Sequence, residues 1–217
     1  NAFGIPVFEK EGFEADDVIG TLVEKAEKKE PDLEIVIVTG DMDTLQLVDR
    51  RTKVWTMKKG ISDTVFYDPK AVQERFGIPP ESMPDYKGLR GDPSDNIAGV
   101  KGIGEKTASE LLGKYKTLEK LYQALEKGTL AASDSVKAKL RQGKEDAFFS
   151  RTMTTIRRDT PMVNESLEDI RRSAVDHKLG DAAKDMSDAA IEGAFKAITV
   201  DAAPVSGGLT IEQLKQQ

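Results

Sequence analysis

Seven acidic residues in the first half of the chain stand at turns or at the ends of predicted elements. They are Glu14, Asp16 and Asp17 at the start of a predicted helix, Asp41 and Asp43 directly after a predicted strand, and Asp92 and Asp95 in a Gly-Asp-Pro-Ser-Asp loop. Open α/β sheets bind ligands outside the carboxyl ends of their strands. Carboxylates crowded there repel one another unless cations lie among them. If the Glu14 helix begins beside the end of the predicted strand, five of these carboxylates, those of Glu14, Asp16, Asp17, Asp41 and Asp43, share one small region, and we predict that metal ions lie among them.

The composition restricts the metal and its chemistry. The chain has no cysteine and one histidine, His177, which excludes thiolate sites and multi-histidine zinc sites. Oxygen-only ligands suit Mg²⁺ or Mn²⁺. Two such ions about 4 Å apart stabilise the attacking and leaving oxygens of a phosphoryl transfer. Plainer interpretations stay open, because acids in a first helical turn complement the helix dipole and Thr-Gly-Asp or Asp-Pro-Ser-Asp segments are common turns.

A second motif follows the acidic loop and has the composition of a phosphate-binding hairpin. We predict that it binds phosphate through Gly102 and Gly104, the flanking cations Lys101 and Lys106, and the Thr107 hydroxyl. Glycines allow a phosphate to approach the backbone closely, and the N-terminus of the next helix favours an anion. Such contacts do not read base edges, so binding would be independent of DNA sequence and sensitive to salt. A simple helix connector is the alternative interpretation of a lone Gly-x-Gly.

Charge is distributed unevenly around these motifs. The chain carries a net charge of −6, but residues 1–86 carry −7, residues 87–158 carry +6 and residues 159–217 carry −5. The average therefore hides a basic block that suits nucleic acid. Lys87 and Arg90 begin this block, between the carboxylates and the hairpin. We predict that they position the phosphate to be cleaved, with a solvated basic face as the alternative.

The elements that must position these residues follow an α/β pattern and then a helical one. Residues 14–29 show a helical apolar stripe, and residues 34–39 form a β-branched run that is typical of a strand buried on both faces. The next predicted elements are a helix over 42–48 and two strands, over 54–57 and 64–67, joined through Lys59-Gly60. A helix over 69–76, with proline in its first turn, comes after them. The prediction then has a loop over 88–99 and helices after Gly104, over 118–125 and over 136–156. It ends with tail helices over 167–174 and 189–197.

The motifs together resemble the 5′-nuclease (flap endonuclease) family, and within it the 5′→3′ exonuclease domain of bacterial family A DNA polymerase I. The resemblance rests on Glu14-Ala-Asp-Asp17, Thr39-Gly-Asp-Met-Asp43 and the Gly88–Ala108 string, in that order. It covers residues 1–160. It implies an α/β fold with a parallel-rich central sheet and flanking helices (a PIN-like nuclease core), followed by a helical region with a helix–three-turn–helix, or helix-hairpin-helix, element.

The resemblance also implies an activity, cofactors and partners. The activity is cleavage of DNA phosphodiesters near a 5′ flap or 5′ end, in replication and repair, with two Mg²⁺ or Mn²⁺ ions at the seven acidic residues. The hairpin would hold the duplex backbone through Val100, Lys101, Gly102, Ile103, Gly104, Lys106 and Thr107. A K⁺ ion would bridge backbone oxygens near Val100 and Ile103 to a phosphate. The expected partners are duplex DNA with a 5′ single strand and a covalently linked polymerase. The expected location is the bacterial cytoplasm, at the nucleoid.

The sequence also leads to expectations about the domain organisation of the chain. We expect a metal-binding core over 1–86, a DNA-binding region over 87–160 and an acidic, Ala-rich extension over 161–217. Family members begin with a strand carrying an Asp-Gly motif and a basic arch, which do not precede Asn1, so we expect an N-terminally incomplete core. A fragment that binds duplex DNA without cutting it, and an RNase H-type nuclease on the same α/β plan, therefore remain alternatives.

Overall fold

The computed structural model describes residues 7–57 and 64–161, and these belong to two compact units. The first unit contains the described residues of Asn1–Pro31, Met57–Val65 and Arg158–Gln217. The second contains Asp32–Thr56 and Phe66–Arg157. His177, the tail helices and the Lys59-Gly60 connection predicted above lie outside the described residues. No helix of the described part has the length and apolarity that a membrane span requires.

Helix α1, Ala15–Lys29, is the main element of the first unit and confirms the predicted helix. Glu14 caps it in a capping box in which the Glu14 and Asp17 side chains each accept a hydrogen bond from the other's backbone N–H. This arrangement satisfies backbone donors that the first helical turn leaves without an intrahelical partner. The backbone N–H of Thr160 donates to Thr21 Oγ1 at 3.0 Å, which fixes the later part of the unit to α1.

The sheet has three strands in the order β1-β2-β3. They are β1 Ile35–Thr39, β2 Thr52–Met57 and β3 Thr64–Tyr67. β1 and β2 are parallel, with Ile37 opposite Val54, as the β-branched run predicted. The prediction that β1 is buried on both faces is wrong, because Val36 and Val38 are 49% and 46% exposed while Ile37 is buried. A β-branched run also occurs in a strand with one covered face.

The segment after β1 is a 3₁₀ helix, Met42–Leu47, where we predicted an ordinary helix over 42–48. Its side chains at Leu45 and Leu47 are almost fully buried. A 3₁₀ helix has three residues per turn, so it is tighter than an α-helix and is common as a short connector. This connector leads the chain from the end of β1 back to the start of β2, as a parallel pair requires.

Six α-helices complete the described part of the second unit. They are α2 Pro69–Phe76, α3 Met83–Arg90, α4 Glu105–Tyr115, α5 Leu118–Glu126, α6 Asp134–Gln142 and α7 Lys144–Thr154. α2 ends at Gly77, whose φ of 73° gives a left-handed C-terminal cap. The predicted helical region over 136–156 is divided at Gly143, where a Cβ atom would lie 2.8 Å from Val100 Cγ1.

Helix α3 contradicts the predicted loop over 88–99, since the helix continues to Arg90 and the loop begins at Gly91. Pro84 lies in its first turn, which tolerates proline, and Gly88 lies in its interior. A Cβ atom at Gly88 would lie 2.8 Å from the carbonyl oxygen of Ala147 on α7. The glycine therefore permits close packing of α3 against α7. The α/β core followed by a helical region is the fold class that the sequence predicted.

Candidate metal centre

Three carboxylates of the second unit form a cluster that could hold a metal ion. One carboxylate oxygen from each of Asp43, Asp92 and Asp95 lies within 4.8 Å of the others. Asp43 is half-buried, Asp92 is buried and Asp95 is exposed. Oxygen atoms at this separation can enter the coordination sphere of a single hard cation such as Mg²⁺ or Mn²⁺. The donor set therefore fits the metals predicted from the sequence.

Asp43 is positioned by the turn that follows β1. The Asp41 carboxylate caps the 3₁₀ helix, accepting a hydrogen bond from the Asp43 backbone N–H at 2.9 Å. The Thr44 hydroxyl donates to the Asp41 carbonyl oxygen at 2.8 Å and tightens the same turn. Asp41 lines the cavity described below but is not a member of the three-carboxylate cluster. Its observed contacts are those of a capping residue.

Asp92 and Asp95 are positioned by a closed loop between α3 and the hairpin. Asp92 and Ile97 exchange two backbone hydrogen bonds of 2.8 Å, which bring the ends of the loop together. Gly91 and Gly99 close the loop with φ of 75° and 60°, a left-handed region that favours glycine. A Cβ atom at Gly91 would lie 2.5 Å from the Ile97 carbonyl oxygen. The loop therefore depends on these two glycines.

Lys87 contacts two of the three carboxylates of the cluster. Its buried ammonium group, on α3, forms ion pairs with Asp43 and Asp92, the latter at 2.6 Å. Burial raises the pKa of Asp92, but hydrogen bonds from Lys87 and Ser94 and the Lys87 charge outweigh it and hold the pKa below its ordinary value. The sequence analysis placed Lys87 against a substrate phosphate, whereas here it neutralises the carboxylates.

The cluster opens into a cavity of about 750 Å³, which we call the carboxylate cavity. Its charged and aromatic walls comprise Asp41, Asp43, Asp92, Asp95, Glu105, Arg75, Lys87, Arg90, Phe76 and Tyr86. Arg90 thus lines the same cavity as the carboxylates, and its role at the phosphate stays a prediction. Burial raises the pKa of Tyr86 to about 12, with a further contribution from the Glu105 charge. Sequence reasoning missed the contribution of Arg75 because α2 carries no motif.

The other predicted ligands, Glu14, Asp16 and Asp17, belong to the first unit. Glu14 and Asp17 form the capping box, and the Asp17 backbone carbonyl accepts hydrogen bonds from Thr21 Oγ1 at 2.7 Å and from Thr160 Oγ1 at 3.3 Å. These contacts are also those expected of acids in a first helical turn. Their membership of a metal site with the second unit remains a prediction.

The hairpin, Val100–Thr107, combines buried anchors with exposed polar groups. Val100 and Ile103 are 2% and 3% exposed, and the Ile103 backbone N–H donates to the Val100 carbonyl at 2.9 Å. The intervening and following residues face solvent: Lys101, Gly102, Gly104 and Lys106 are exposed, and Thr107 is half-buried. Gly104 caps α4, and nothing lies within 4 Å of a Cβ atom built there. The start of α4 is thus accessible to an anion.

Lys139 of α6 supplies a cation to this hairpin that the sequence analysis missed. Its ammonium group donates to the Gly102 carbonyl oxygen at 3.1 Å. Gly102 has a φ of 80°, and a Cβ atom there would lie 3.1 Å from Lys139 Nζ. The two residues are far apart in the chain, so no local pattern connects them. K⁺ binding near Val100 and Ile103 remains a prediction.

Comparisons with known proteins identify the family of this chain and agree with its fold. The family model described as "5'-3' exonuclease, N-terminal resolvase-like domain" matches residues 1–77, and that described as "5'-3' exonuclease, C-terminal SAM fold" matches residues 78–178. The chain therefore belongs to the 5′-3′ exonuclease family, a family of nucleases, as its motifs predicted.

Two curated relatives illustrate the match. DNA polymerase I of Caldicellulosiruptor bescii is 48% identical over 172 residues, which are 78% of this chain and 19% of the relative. DNA polymerase I of Bacillus caldotenax is 43% identical over 177 residues, which are 82% of this chain and 20% of the relative. The chain thus spans about a fifth of the length of these relatives.

Solved structures show the same fold. A mutant of the T5 5′-exonuclease aligns with a TM-score of 0.58 and 18% identity, over 79% of this chain and 61% of that one. The T5 5′-exonuclease with bound divalent metal ions (zinc) aligns with a TM-score of 0.59 and 18% identity, over 79% and 55% of the two chains.

Proposed function

We propose that this chain is a structure-specific 5′→3′ exonuclease and 5′-flap endonuclease that hydrolyses DNA phosphodiesters with two Mg²⁺ or Mn²⁺ ions. The observation that carries the proposal is the cluster of Asp43, Asp92 and Asp95 at the carboxylate cavity. Membership of the 5′-3′ exonuclease family supports it. In this proposal Asp41, Glu14, Asp16 and Asp17 complete the ligand set.

The carboxylates would hold the ions and take no covalent part in the reaction. Bound divalent cations lower the pKa of water and stabilise the charge that develops on the phosphate. Asp92 is suited to the ligand role because its carboxylate stays ionised, with a pKa below its ordinary value. Asp43 and Asp95 bring the further negative charges that attract a dication to this point.

Lys87 and Arg90 would act on the substrate in this proposal. Lys87 neutralises Asp43 and Asp92 in the structure described here, so metal binding would release its ammonium group to contact the scissile phosphate. Arg90 lines the same cavity and can donate two parallel hydrogen bonds to a phosphate. Both residues lie on α3, whose packing against α7 at Gly88 keeps them in a fixed position.

The hairpin would hold the duplex beside the carboxylate cavity. Lys101 and Lys106 bring positive charge, and the exposed start of α4 presents backbone N–H groups to a phosphate. We retain the division into a metal-binding core over 1–86, a DNA-binding region over 87–160 and an extension over 161–217. We also retain K⁺ at the hairpin and a covalently linked polymerase, in line with the names of the relatives.

The test is cleavage of a 5′-flap DNA and of an RNA–DNA hybrid by the full 217-residue chain, with Mg²⁺ and with a chelator. We expect flap cleavage that requires Mg²⁺ and falls about a hundredfold or more in Asp43→Ala and Asp41→Ala, since metal stabilisation of the transition state is worth several kcal/mol. Duplex binding should persist. Asp134→Ala, at an exposed carboxylate on α6, is the matched control and should cleave normally.

Each alternative has its own outcome in this assay. Binding of flap DNA without cleavage would identify a chain that only binds duplex DNA. Faster cleavage of the RNA–DNA hybrid would identify an RNase H-type activity. Unchanged Mg²⁺-dependent cleavage in both aspartate variants would contradict the assigned metal site.

A further inference from the structure

Arg75 of α2 lies on the wall of the carboxylate cavity, outside every motif used so far. Its guanidinium group forms an ion pair with Glu105 at 3.3 Å, and the two side chains are 55% and 49% exposed. The same guanidinium lies 5.1 Å from the centre of the Phe76 ring. Stacking on an aromatic face restricts the orientation of a long arginine side chain. Arg75 is therefore a pre-oriented cation at the cavity wall.

The ion pair with Glu105 is easily exchanged for another anion. Pairs between exposed side chains contribute between 0 and about 1 kcal/mol, because water screens them and two long side chains lose freedom. A phosphodiester offers an arginine two acceptor oxygens in the geometry of its fork. A phosphate at the cavity can thus replace Glu105 at little energetic cost.

The cavity has room for more than metal ions. Its volume of about 750 Å³ lies within the range of about 300–1,000 Å³ typical of sites for small molecules. The three carboxylates of the cluster line this cavity together with Arg75, Phe76 and Arg90. A nucleotide unit can therefore lie beside the ions with its phosphate next to a cation.

Glu105 belongs to the hairpin and also lines the carboxylate cavity. It is the first residue of α4 and follows Gly104, the cap of the helix whose start faces solvent. A carboxylate there stabilises the helix dipole but repels an approaching phosphate. Arg75 offsets that repulsion as long as the two side chains are paired.

We propose that Arg75 binds a backbone phosphate of the DNA strand next to the scissile one, and that Glu105 competes with this phosphate for the guanidinium group. The proposal rests on the proposed function, because it takes DNA as the occupant of the carboxylate cavity. It adds a binding residue on α2 and a competing carboxylate on α4.

The test measures the dissociation constant of the full chain for a 5′-flap DNA, with Ca²⁺ in place of Mg²⁺ and intact DNA checked on a gel. We expect Arg75→Gln to weaken binding about fivefold and to lower the salt slope by about 1, the signature of one lost phosphate contact. Glu105→Gln should tighten binding about threefold, in line with the strength of an exposed pair. A pair with a purely structural role would weaken binding in both variants.

Two controls separate this contact from a general effect of charge. Lys70→Gln and Glu74→Gln change the same charges in an exposed pair on α2 that does not line the cavity, and should each change binding by less than twofold. The double variant Arg75→Gln/Glu105→Gln should bind more weakly than Glu105→Gln alone, because no guanidinium remains to bind the phosphate that the missing carboxylate would otherwise leave to it.

Three results would overturn the inference. The DNA affinity of Arg75→Gln could match that of Lys70→Gln, Glu105→Gln could fail to tighten binding, or the double variant could bind as tightly as Glu105→Gln alone. Any of these, with flap binding by the unsubstituted chain intact, leaves the proposed function standing. Absence of flap binding by the unsubstituted chain would overturn both.

Discussion

The carboxylate cavity and the hairpin hold their functional groups by opposite means. In the cavity, buried charges hold one another: the Lys87 ammonium lies between Asp43 and Asp92. In the hairpin, apolar anchors at Val100 and Ile103 are buried, and the charged side chains extend into solvent. Charged side chains thus stabilise the folded structure of the cavity, whereas buried apolar side chains stabilise the folded structure of the hairpin.

This difference predicts how the two regions respond to substitution. Removing a charged group from the cavity leaves the remaining buried charges without a counter-charge. The free energy of unfolding and the affinity for a metal ion therefore change together. Removing a charge from the hairpin changes only the attraction for an anion, so affinity changes and stability does not. Four substitutions, ordered from the largest expected effect to the smallest, can sharpen or break this comparison.

Lys87→Met should have the largest effect. In metal-free buffer we expect the free energy of unfolding to fall by about 3 kcal/mol, because two neighbouring carboxylates lose their buried counter-charge. Mg²⁺ should stabilise the variant more than the unsubstituted chain, since the ion no longer competes with an ammonium group. Chemical denaturation with and without Mg²⁺ measures both effects.

The control for Lys87→Met is Lys144→Met, which breaks an exposed pair with Glu126. We expect a loss below about 1 kcal/mol and no change in the response to Mg²⁺. Equal stabilisation of Lys87→Met and the unsubstituted chain by Mg²⁺ would show that Lys87 and the ion do not compete.

Ile103→Ala tests the anchors of the hairpin. Its side chain is 3% exposed, so the truncation should lower the free energy of unfolding by about 2 kcal/mol. Duplex affinity should fall as the hairpin loosens, whereas the cleavage rate at saturating DNA should not change. Val36→Ala, at a side chain that is 49% exposed, is the matched control and should leave both quantities unchanged. A fall in the saturated cleavage rate would mean that the two regions are not independent.

Gly102→Ala tests the backbone of the hairpin. A φ of 80° disfavours alanine, and the added Cβ would press on the Lys139 side chain at 3.1 Å. We expect a loss of stability of about 1 kcal/mol, because a flexible lysine can move aside. Gly128→Ala, at a φ of 73° where nothing lies within 4 Å of the added atom, serves as the control for local space. Equal losses in both variants would show that Lys139 does not restrict Gly102.

Lys106→Gln should have the smallest effect. Its side chain is exposed at the start of α4, so duplex affinity should fall only about threefold, with a salt slope lower by about 1. The thermal unfolding temperature should stay the same. A lower unfolding temperature would show that the charged side chains of the hairpin do stabilise its folded structure.

The sequence predicted those parts of the molecule that depend on local pattern. Glu14, Pro69 and Gly77 indicated the ends of α1 and α2 because caps and proline act through the adjacent backbone. The resemblance to the 5′-nuclease family, which is carried by short motifs at a strand end and in a glycine-bounded loop, placed Asp43, Asp92 and Asp95 at one metal centre. The structure brings these three together.

The missed features depend on contacts between distant segments. α3 was not predicted because Gly88 looks like a helix breaker until the Ala147 carbonyl of α7 is seen beside it. The exposure of Val36 and Val38 depends on what covers the sheet, which the β-branched run itself does not specify. Arg75 and Lys139 lie in ordinary helices, and only the folded chain brings them to the cavity and the hairpin.

The pairing of β1 with β2 has a spectroscopic consequence. Trp55, the single tryptophan of the chain, lies on β2 directly opposite Val38 and is half-buried. Its emission should shift to longer wavelength when this pair of strands separates, since the indole ring then becomes fully hydrated. Circular dichroism at far-ultraviolet wavelengths reports mainly the helices of both units. Denaturation followed by the two signals side by side would therefore show whether the strands that present Asp43 separate before the helices unfold.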